Sequence, residues 1–169
     1  MEELLGISLK RLIAWIEVVL IIIFSFLALG LFLSPNSTPD STLLWSLKRT
    51  QEKLFMKFES TVQGKLTYQR SLLNVRLNEI SSITNSRHYD YELPSSLRYS
   101  TLAGQITELI INNQLKDQAD SVKKRFREHK KILNELYVAY PKNTENIEYK
   151  YIEDDINYLD LYLDKLAKI

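Results

Sequence analysis

The sequence predicts an all-α protein with one N-terminal transmembrane helix followed by a four-helix extracytoplasmic domain. Three observations lead to this fold class. An apolar run covers residues 12–32, the 169 residues include only four glycines and four prolines, and apolar residues further along recur at alternating spacings of three and four. Few glycines and prolines argue against a turn-rich β protein, and the three–four spacing is that of amphipathic helices.

The apolar run, LIAWIEVVLIIIFSFLALGLF, is long enough to cross a bilayer, because about twenty helical residues span the roughly 30 Å hydrocarbon layer. Lys10 and Arg11 precede it, whereas residues 34–47 carry no positive charge. This asymmetry predicts a cytoplasmic tail of residues 1–11, a transmembrane helix of residues 12–33 and an extracytoplasmic remainder. The predicted membrane span includes Leu12, Trp15, Glu17, Phe24 and Phe32.

A cleaved signal peptide is the alternative to this anchor, since Ala28, Leu29 and Gly30 provide small residues at a peptidase spacing. The run is longer than the apolar core of a usual signal peptide, which favours an uncleaved anchor. Glu17 is the single ionisable residue in it. A carboxylate that reaches the headgroups explains Glu17 most simply, and a contact with another membrane subunit is the second explanation.

The extracytoplasmic part divides into helices after a proline-containing linker at residues 34–40. The apolar spacing predicts helices at about 41–60, 65–84, 96–140 and 144–168, with a loop around Pro94. Short connections predict two antiparallel hairpins. In the long third helix the apolar stripe shifts by one residue, which predicts either an apolar face that drifts around the helix or a bend at residues 112–115.

Composition and motifs predict a protein without enzymatic activity. The chain has no cysteine, which excludes thiol catalysis and thiolate metal sites. It contains no Gly-rich phosphate loop, no Gly-x-Ser-x-Gly, no His-Glu-x-x-His and no calcium loop. We therefore predict no catalytic residues, no cofactor, no metal site and no small-molecule substrate.

Charged segments near the C-terminus are predicted to face each other across paired helices. Residues 123–131, KKRFREHKK, hold six basic residues and one acidic residue, whereas residues 144–169 hold seven acidic and three basic residues. Such a basic cluster can bind nucleic acid or anionic lipid, but the predicted topology leaves no nucleic acid on that side. A solvated face opposite an acidic helix is the preferred interpretation.

Three groups of polar residues are candidate sites. His129 occupies a core position of the stripe and is predicted to be a hydrogen-bonded packing residue, with a metal ligand or a pH-sensitive group as the alternative. His88 and Asp90 give two ligands without a third. The acids of the last helix are predicted to face water rather than to catalyse; they are Asp154, Asp155, Asp160 and Asp164.

Tyrosines concentrate in the predicted C-terminal hairpin. Tyr158 and Tyr162 are four residues apart, on one side of the last helix and beside its leucines. The edge of the core is the simpler explanation, and an exposed aromatic strip for a protein or glycan partner is the alternative. If the chain has such a partner, the predicted contact residues are Tyr149, Tyr151, Tyr158 and Tyr162.

Several short motifs resemble a family of bacterial envelope domains of unknown function that follow a single membrane anchor. Its opening motif, Pro-Asp-Ser with Leu-Tyr-x-Leu-Lys-Arg, resembles residues 39–41 and 44–49, where Trp45 replaces the usual Tyr. An Arg-Leu-x-Glu pattern is similar to residues 76–79, and a later His-x-x-x-Leu-x-x-Leu before Pro is similar to residues 129–141. The resemblance implies bacterial origin, membrane attachment and a helical domain.

Together these observations predict a membrane-anchored binding or scaffolding module at the cell envelope, with its N-terminus in the cytoplasm. Its expected partners are membrane lipid and either another protein or further copies of the same chain. The alternative is a signalling or regulatory subunit that couples through its transmembrane helix to a membrane complex. With only about eleven residues inside, such coupling requires another membrane subunit.

Overall fold

The computed structural model describes residues 13–22, 24, 25, 28, 42–142 and 147–169. In these residues no strand occurs, so the predicted all-α class is confirmed. Contacts divide the described chain into two compact units, one ending at Glu52 and the other starting at Lys53. The helices are α1 (Thr42–Phe58), α2 (Val62–Ser86), α3 (Glu92–Asn112), α4 (Lys116–Ala139) and α5 (Tyr149–Ala167), with a 3₁₀ turn at Tyr89–Tyr91.

The first unit includes helical residues 13–22, whose apolar side chains are exposed. Of the predicted membrane span, Trp15 and Phe24 are 70% and 76% exposed. Glu17 is helical and exposed as well. Leu12 and Phe32 lie outside the described residues, as do the predicted tail and linker. Among the helices described, none has both the length and the apolar character required to traverse a bilayer.

The second unit is a bundle of α2, α3, α4 and α5 arranged as two antiparallel hairpins. Helices α2 and α3 form one hairpin, in which Thr84 contacts Glu92. Helices α4 and α5 form the other, in which Lys130 contacts Asp160. The hairpins pack side by side through α3 and α5, which run parallel. Ser96 near the start of α3 donates to the Tyr151 carbonyl near the start of α5.

The predicted number and pairing of helices were partly wrong. The sequence suggested one long, bent helix over residues 96–140, whereas the structure has two helices, α3 and α4, separated by residues 113–115. The predicted first hairpin joined residues 41–60 to residues 65–84. In the bundle, α2 instead forms its hairpin with α3, so the long segment contributes two of the four bundle helices.

The interruption between α3 and α4 results from a left-handed residue, Gln114, with φ of 52°. The Leu115 N–H donates to the Ile110 carbonyl at 3.0 Å, and the Gln114 N–H donates to the Ile111 carbonyl at 3.1 Å. These bonds satisfy carbonyls that the end of a helix leaves free. Glycine or asparagine usually occupies this left-handed position. A glutamine there gives no recognisable stop signal, so the sequence indicated a drift or a bend at residues 112–115 but not the end of a helix.

The other helix ends also differ from the predicted ones by a few residues. Helix α2 begins at Val62, because the Thr61 hydroxyl caps it by accepting from the Gly64 N–H at 3.0 Å. Its end is another left-handed residue, Arg87, with φ of 60°. Helix α3 starts before Pro94, which fits in its first turn because the first turn needs no intrahelical N–H donor. The predicted start at Thr144 lies outside the described residues, and α5 begins at Tyr149.

The core of the bundle follows the apolar stripe that the sequence shows in α4. All six residues of that stripe within α4 are buried: Ala119, Val122, Phe126, His129, Leu133 and Leu136. Helix α5 contributes Ile152, Ile156 and Leu159. Helix α3 contributes Tyr99, Ala103 and Ile106, so its buried face includes a large aromatic ring as well as aliphatic side chains.

Candidate functional site

The four predicted contact tyrosines lie in two places on α5 rather than in one strip. Tyr158 and Tyr162 stack with their rings 18° apart and their centroids 6.1 Å apart. Tyr158 is 45% exposed, whereas Tyr162 is half-buried against Phe126 and Gly104. A Cβ at position 104 would lie 2.8 Å from the Tyr162 hydroxyl, so the glycine leaves the room that this ring occupies.

Tyr149 belongs to a separate aromatic cluster at the start of α5. Its ring centroid lies 6.1 Å from that of Tyr137 and 6.2 Å from that of Tyr140. Tyr89 packs on Tyr140 at 4.6 Å, and the Lys142 ammonium lies 3.6 Å from the Tyr137 centroid, which is within the range of a cation–π contact. This cluster closes one end of the bundle.

Tyr151 is half-buried, and its carbonyl accepts the bond from Ser96. Of the four predicted residues, Tyr158 is therefore the one with the most exposed ring, and Leu161 beside it is 48% exposed. The residues Tyr149 and Tyr162 combine packing with partial exposure. The packing interpretation therefore describes Tyr149 and Tyr162, and contact with a partner stays a prediction for the exposed Tyr158.

Two fully buried carboxyl groups, Glu92 and Asp155, lie where α3 and α5 pack together. Neither oxygen of Asp155 has a hydrogen-bond partner, and Glu92 accepts through one oxygen only, from the Thr84 hydroxyl at 3.3 Å. The Ser96 and Ser100 hydroxyls donate to main-chain carbonyls, and they also lie close enough to Asp155 to offset part of the effect of burial on its pKa. A buried carboxylate without donors is costly, whereas a neutral carboxyl is tolerated.

Burial accordingly raises the pKa of both groups to about 8. Repulsion from Glu148 contributes for Glu92, and repulsion from Glu92 and Asp154 contributes for Asp155. At neutral pH both carboxyl groups are therefore mainly protonated. Burial also raises the pKa of Tyr140, whose buried hydroxyl has no partner and lies within the field of Glu148 and Glu92.

The prediction that Asp155 faces water was wrong, because its side chain is fully buried. The sequence contains a signal for this. Asp155 is three residues after Ile152 and four before Leu159, so it lies on the buried side of α5. Its neighbour Asp154 is exposed, and so is Asp160. Glu92 had no comparable signal, since it was predicted to lie in a loop.

His129 is the hydrogen-bonded packing residue that the sequence predicted. Its Nδ1 accepts from the Tyr99 hydroxyl at 3.1 Å, and its Nε2 donates to the Asn74 side-chain oxygen at 2.9 Å. The same oxygen accepts from Arg125 at 2.7 Å. Burial and the charge of Arg125 lower the pKa of His129 to about 4, so the imidazole is neutral at physiological pH. This network links α2, α3 and α4.

A buried ion pair accounts for one of the motifs that resemble the envelope family. In residues 76–79, Arg76 donates to both oxygens of Glu79, at 2.6 and 2.7 Å, and both side chains are buried. Arg98 of α3 approaches Glu79 to 3.8 Å. The motif thus forms a buried ion pair within α2, and its Glu79 is also the carboxylate that Arg98 approaches from α3.

The basic segment on α4 lies beside acidic α5, as predicted. Lys130 donates to both carboxylate oxygens of Asp160, at 2.5 and 2.6 Å. The pair is partly exposed, and exposed ion pairs contribute about 0–1 kcal/mol. The described residues contain no group of three or more histidines or acids arranged to hold a metal ion.

Comparisons of the chain with protein-family models, with curated proteins and with solved structures give no match. The resemblance to the bacterial envelope family, which depends on short motifs, therefore stays a prediction. The site itself consists of a tyrosine-bearing face on α5 and a set of buried, neutral polar groups beneath it.

Proposed function

We propose that this chain is a non-catalytic, membrane-anchored module that presents a helical bundle at the extracytoplasmic surface for binding or scaffolding. One observation carries the proposal. The large apolar side chains described between residues 13 and 24 are 47–76% exposed, and at 100° per residue they surround the helix. A helix that is apolar on every side needs an apolar environment, and a bilayer provides one.

The orientation follows from the positive charges of Lys10 and Arg11 on one side of the apolar run and their absence from residues 34–47 on the other. With this orientation, the bundle of α2 to α5 lies outside the cytoplasm. The absence of cysteine is compatible with this location, because the bundle is held by its apolar core and buried polar networks rather than by disulfides.

The chain's lack of cysteine also makes a direct test available. Single cysteines replace Glu2 in the N-terminal tail or the exposed Glu128 on α4, and a membrane-impermeant maleimide is added to intact cells. We expect labelling of E128C in intact cells and labelling of E2C only after permeabilisation. Recovery of the chain in the soluble fraction after alkaline extraction would contradict anchoring, and the reverse labelling pattern would contradict the orientation.

The proposed partner surface is the exposed part of the tyrosine face on α5. A photo-crosslinking phenylalanine analogue at Tyr158 is expected to crosslink a protein partner or a second copy of the chain in membranes. Val138 on α4 is the matched control, because it is apolar and 77% exposed but lies on another helix. Equal crosslinking from both positions would argue against a specific surface at Tyr158.

A further inference from the structure

The second half of α1 exposes three large apolar side chains that the bundle leaves uncovered. Leu54, Phe55 and Phe58 are 50%, 57% and 79% exposed. Successive residues turn by about 100° in an α-helix, so these three side chains lie within about 100° of one another, on one side. Phe55 touches Tyr68 edge-on, with 6.4 Å between ring centroids, and still remains exposed. We call these three residues the α1 apolar face.

Positive charges border this face. Helix α1 contains four basic residues and one acidic residue, and the two basic residues in its second half, Lys53 and Lys57, are exposed. By the same helical geometry, Lys57 lies about 60° from Leu54 around the axis and Lys53 about 100° from it. Lysines at the border of an apolar face can place their stems on lipid and their ammonium groups among phosphates.

The chain also places α1 close to the predicted anchor. Phe32, at the end of the apolar run, and Thr42, at the start of α1, are ten residues apart. Even a fully extended chain of this length reaches only about 35 Å. If residues 12–32 are in the membrane, as the proposed function holds, α1 begins near the bilayer surface.

We propose that the α1 apolar face inserts into the headgroup region of an anionic bilayer, with Lys53 and Lys57 on lipid phosphates, as a second membrane contact of this chain. This inference rests on the proposed function. The exposed residues of α5 offer a contrast. Tyr158 and Leu161 are also exposed, but α5 carries four exposed acidic residues and two basic residues, so anionic lipid is repelled there and attracted at α1.

The experiment uses the full-length chain reconstituted into vesicles of phosphatidylcholine, with or without phosphatidylglycerol. A single cysteine replaces Phe58 and carries an environment-sensitive fluorophore, and lipids with a nitroxide near the headgroup act as quenchers. Met56→Cys is the control within α1, because residue 56 is half-buried and lies on the opposite side of the same helical turn. Leu161→Cys is the control on the acidic face, and circular dichroism checks that each variant keeps its helices.

We expect the probe at position 58 to be quenched at least about twofold more than the probes at 56 and 161, and more strongly with phosphatidylglycerol present. Lys53→Gln with Lys57→Gln is expected to reduce the quenching at 58. Equal quenching at 58 and 56 in a chain that sediments with vesicles would overturn this inference and leave the anchor intact. Failure to sediment with vesicles would overturn the anchor. If two unlabelled F58C chains crosslink and the labelled chain shows no quenching by lipid, the α1 apolar face binds a second copy of the chain rather than lipid.

Discussion

Helices α1 and α4 both carry an apolar stripe at three–four spacing, yet the structure covers one stripe and leaves part of the other exposed. In α4, Phe126 and Leu133 are fully buried in the bundle. In α1, Leu54 and Phe58 occupy equivalent positions of a stripe and are 50% and 79% exposed. Helical spacing therefore identifies an amphipathic helix but does not determine what covers its apolar side.

The difference between the two helices lies in their surroundings. Helix α4 pairs with α5, whose own stripe faces it and whose charges are of the opposite sign. The apolar face of α1 is bordered instead by two positively charged residues, Lys53 and Lys57. Removing apolar surface from water lowers the free energy by about 25 cal/mol per Å², whether protein or lipid covers that surface. The stripe of α4 thus stabilises the fold, and the exposed part of the α1 stripe is the surface that we propose to bind lipid.

The largest expected effect comes from truncating one aromatic residue in each stripe. Phe126→Ala should lower the free energy of unfolding by about 3–5 kcal/mol, because it leaves a cavity in the packed core. Phe58→Ala should change it by less than about 0.5 kcal/mol, since the ring is exposed. Urea titrations of the full-length variants in mild detergent, followed by circular dichroism, measure both. A comparable loss in the two variants would mean that Phe58 is packed.

Sequence reasoning identified most of the helical residues and the core stripe of α4, because repeated three–four spacing is a strong local signal. It missed the break at Gln114, since a left-handed glutamine has no distinctive sequence signature. The chain reverses direction between α2 and α3 at the left-handed Arg87 and the 3₁₀ turn Tyr89–Tyr91, and the sequence did not show that these two helices form a hairpin.

The site was less predictable, because burial of polar residues depends on tertiary packing. His129 was correctly placed in the core from its position in the stripe, but its partners Tyr99 and Asn74 are 30 and 55 residues away and could not be inferred. Asp155 was predicted to face water because it follows another aspartate. Its spacing from Ile152 and Leu159, however, places it on the buried side of α5. Helical phase was the better guide.

A second difference between exposed and buried positions can be measured on adjacent aspartates of α5. Asp155→Asn should raise the free energy of unfolding at pH 8 by about 1–3 kcal/mol, because it removes the cost of ionising a buried group. Asp154→Asn is the exposed control and should have little effect. A decrease in stability for Asp155→Asn would mean that the carboxylate has a partner in solution.

The pH dependence has a defined sign. The folded pKa of Asp155, about 8, exceeds its ordinary value of 3.8, so between these values the folded state binds more protons than the unfolded state. The contribution of Asp155 to the free energy of unfolding is therefore fully present below about pH 4 and is lost as the pH rises towards 8. Urea titrations across this range should show a smaller loss of stability with rising pH in Asp155→Asn than in the unmodified chain.

His129, the polar member of the α4 stripe, makes a smaller contribution to the free energy of unfolding. This contribution changes with pH in the opposite direction to that of Asp155. Asn74→Ala should lower the free energy of unfolding by about 1–2 kcal/mol at pH 7.5, because it leaves the His129 and Arg125 donors unpaired. Asn134→Ala on the exposed side of α4 is the control. The pKa of His129 is lowered to about 4 from 6.5, so its contribution is lost as the pH falls through this range. Titration of the His129 resonances near pH 6.5, assigned by NMR with a His88→Gln variant, would contradict the buried network.

The smallest expected effect concerns the charges that distinguish the surroundings of α4 from those of α1. In a double-mutant cycle with Lys130→Gln and Asp160→Asn, the coupling energy should be about 0.2–1 kcal/mol and should decrease as salt is added, because the pair is partly exposed. The cycle is measured by urea titration at low and high ionic strength. Lys123 with Asp120 provides a comparison within α4 alone. A coupling near zero at low salt would mean that apolar packing, rather than charge, selects α5 as the partner of α4.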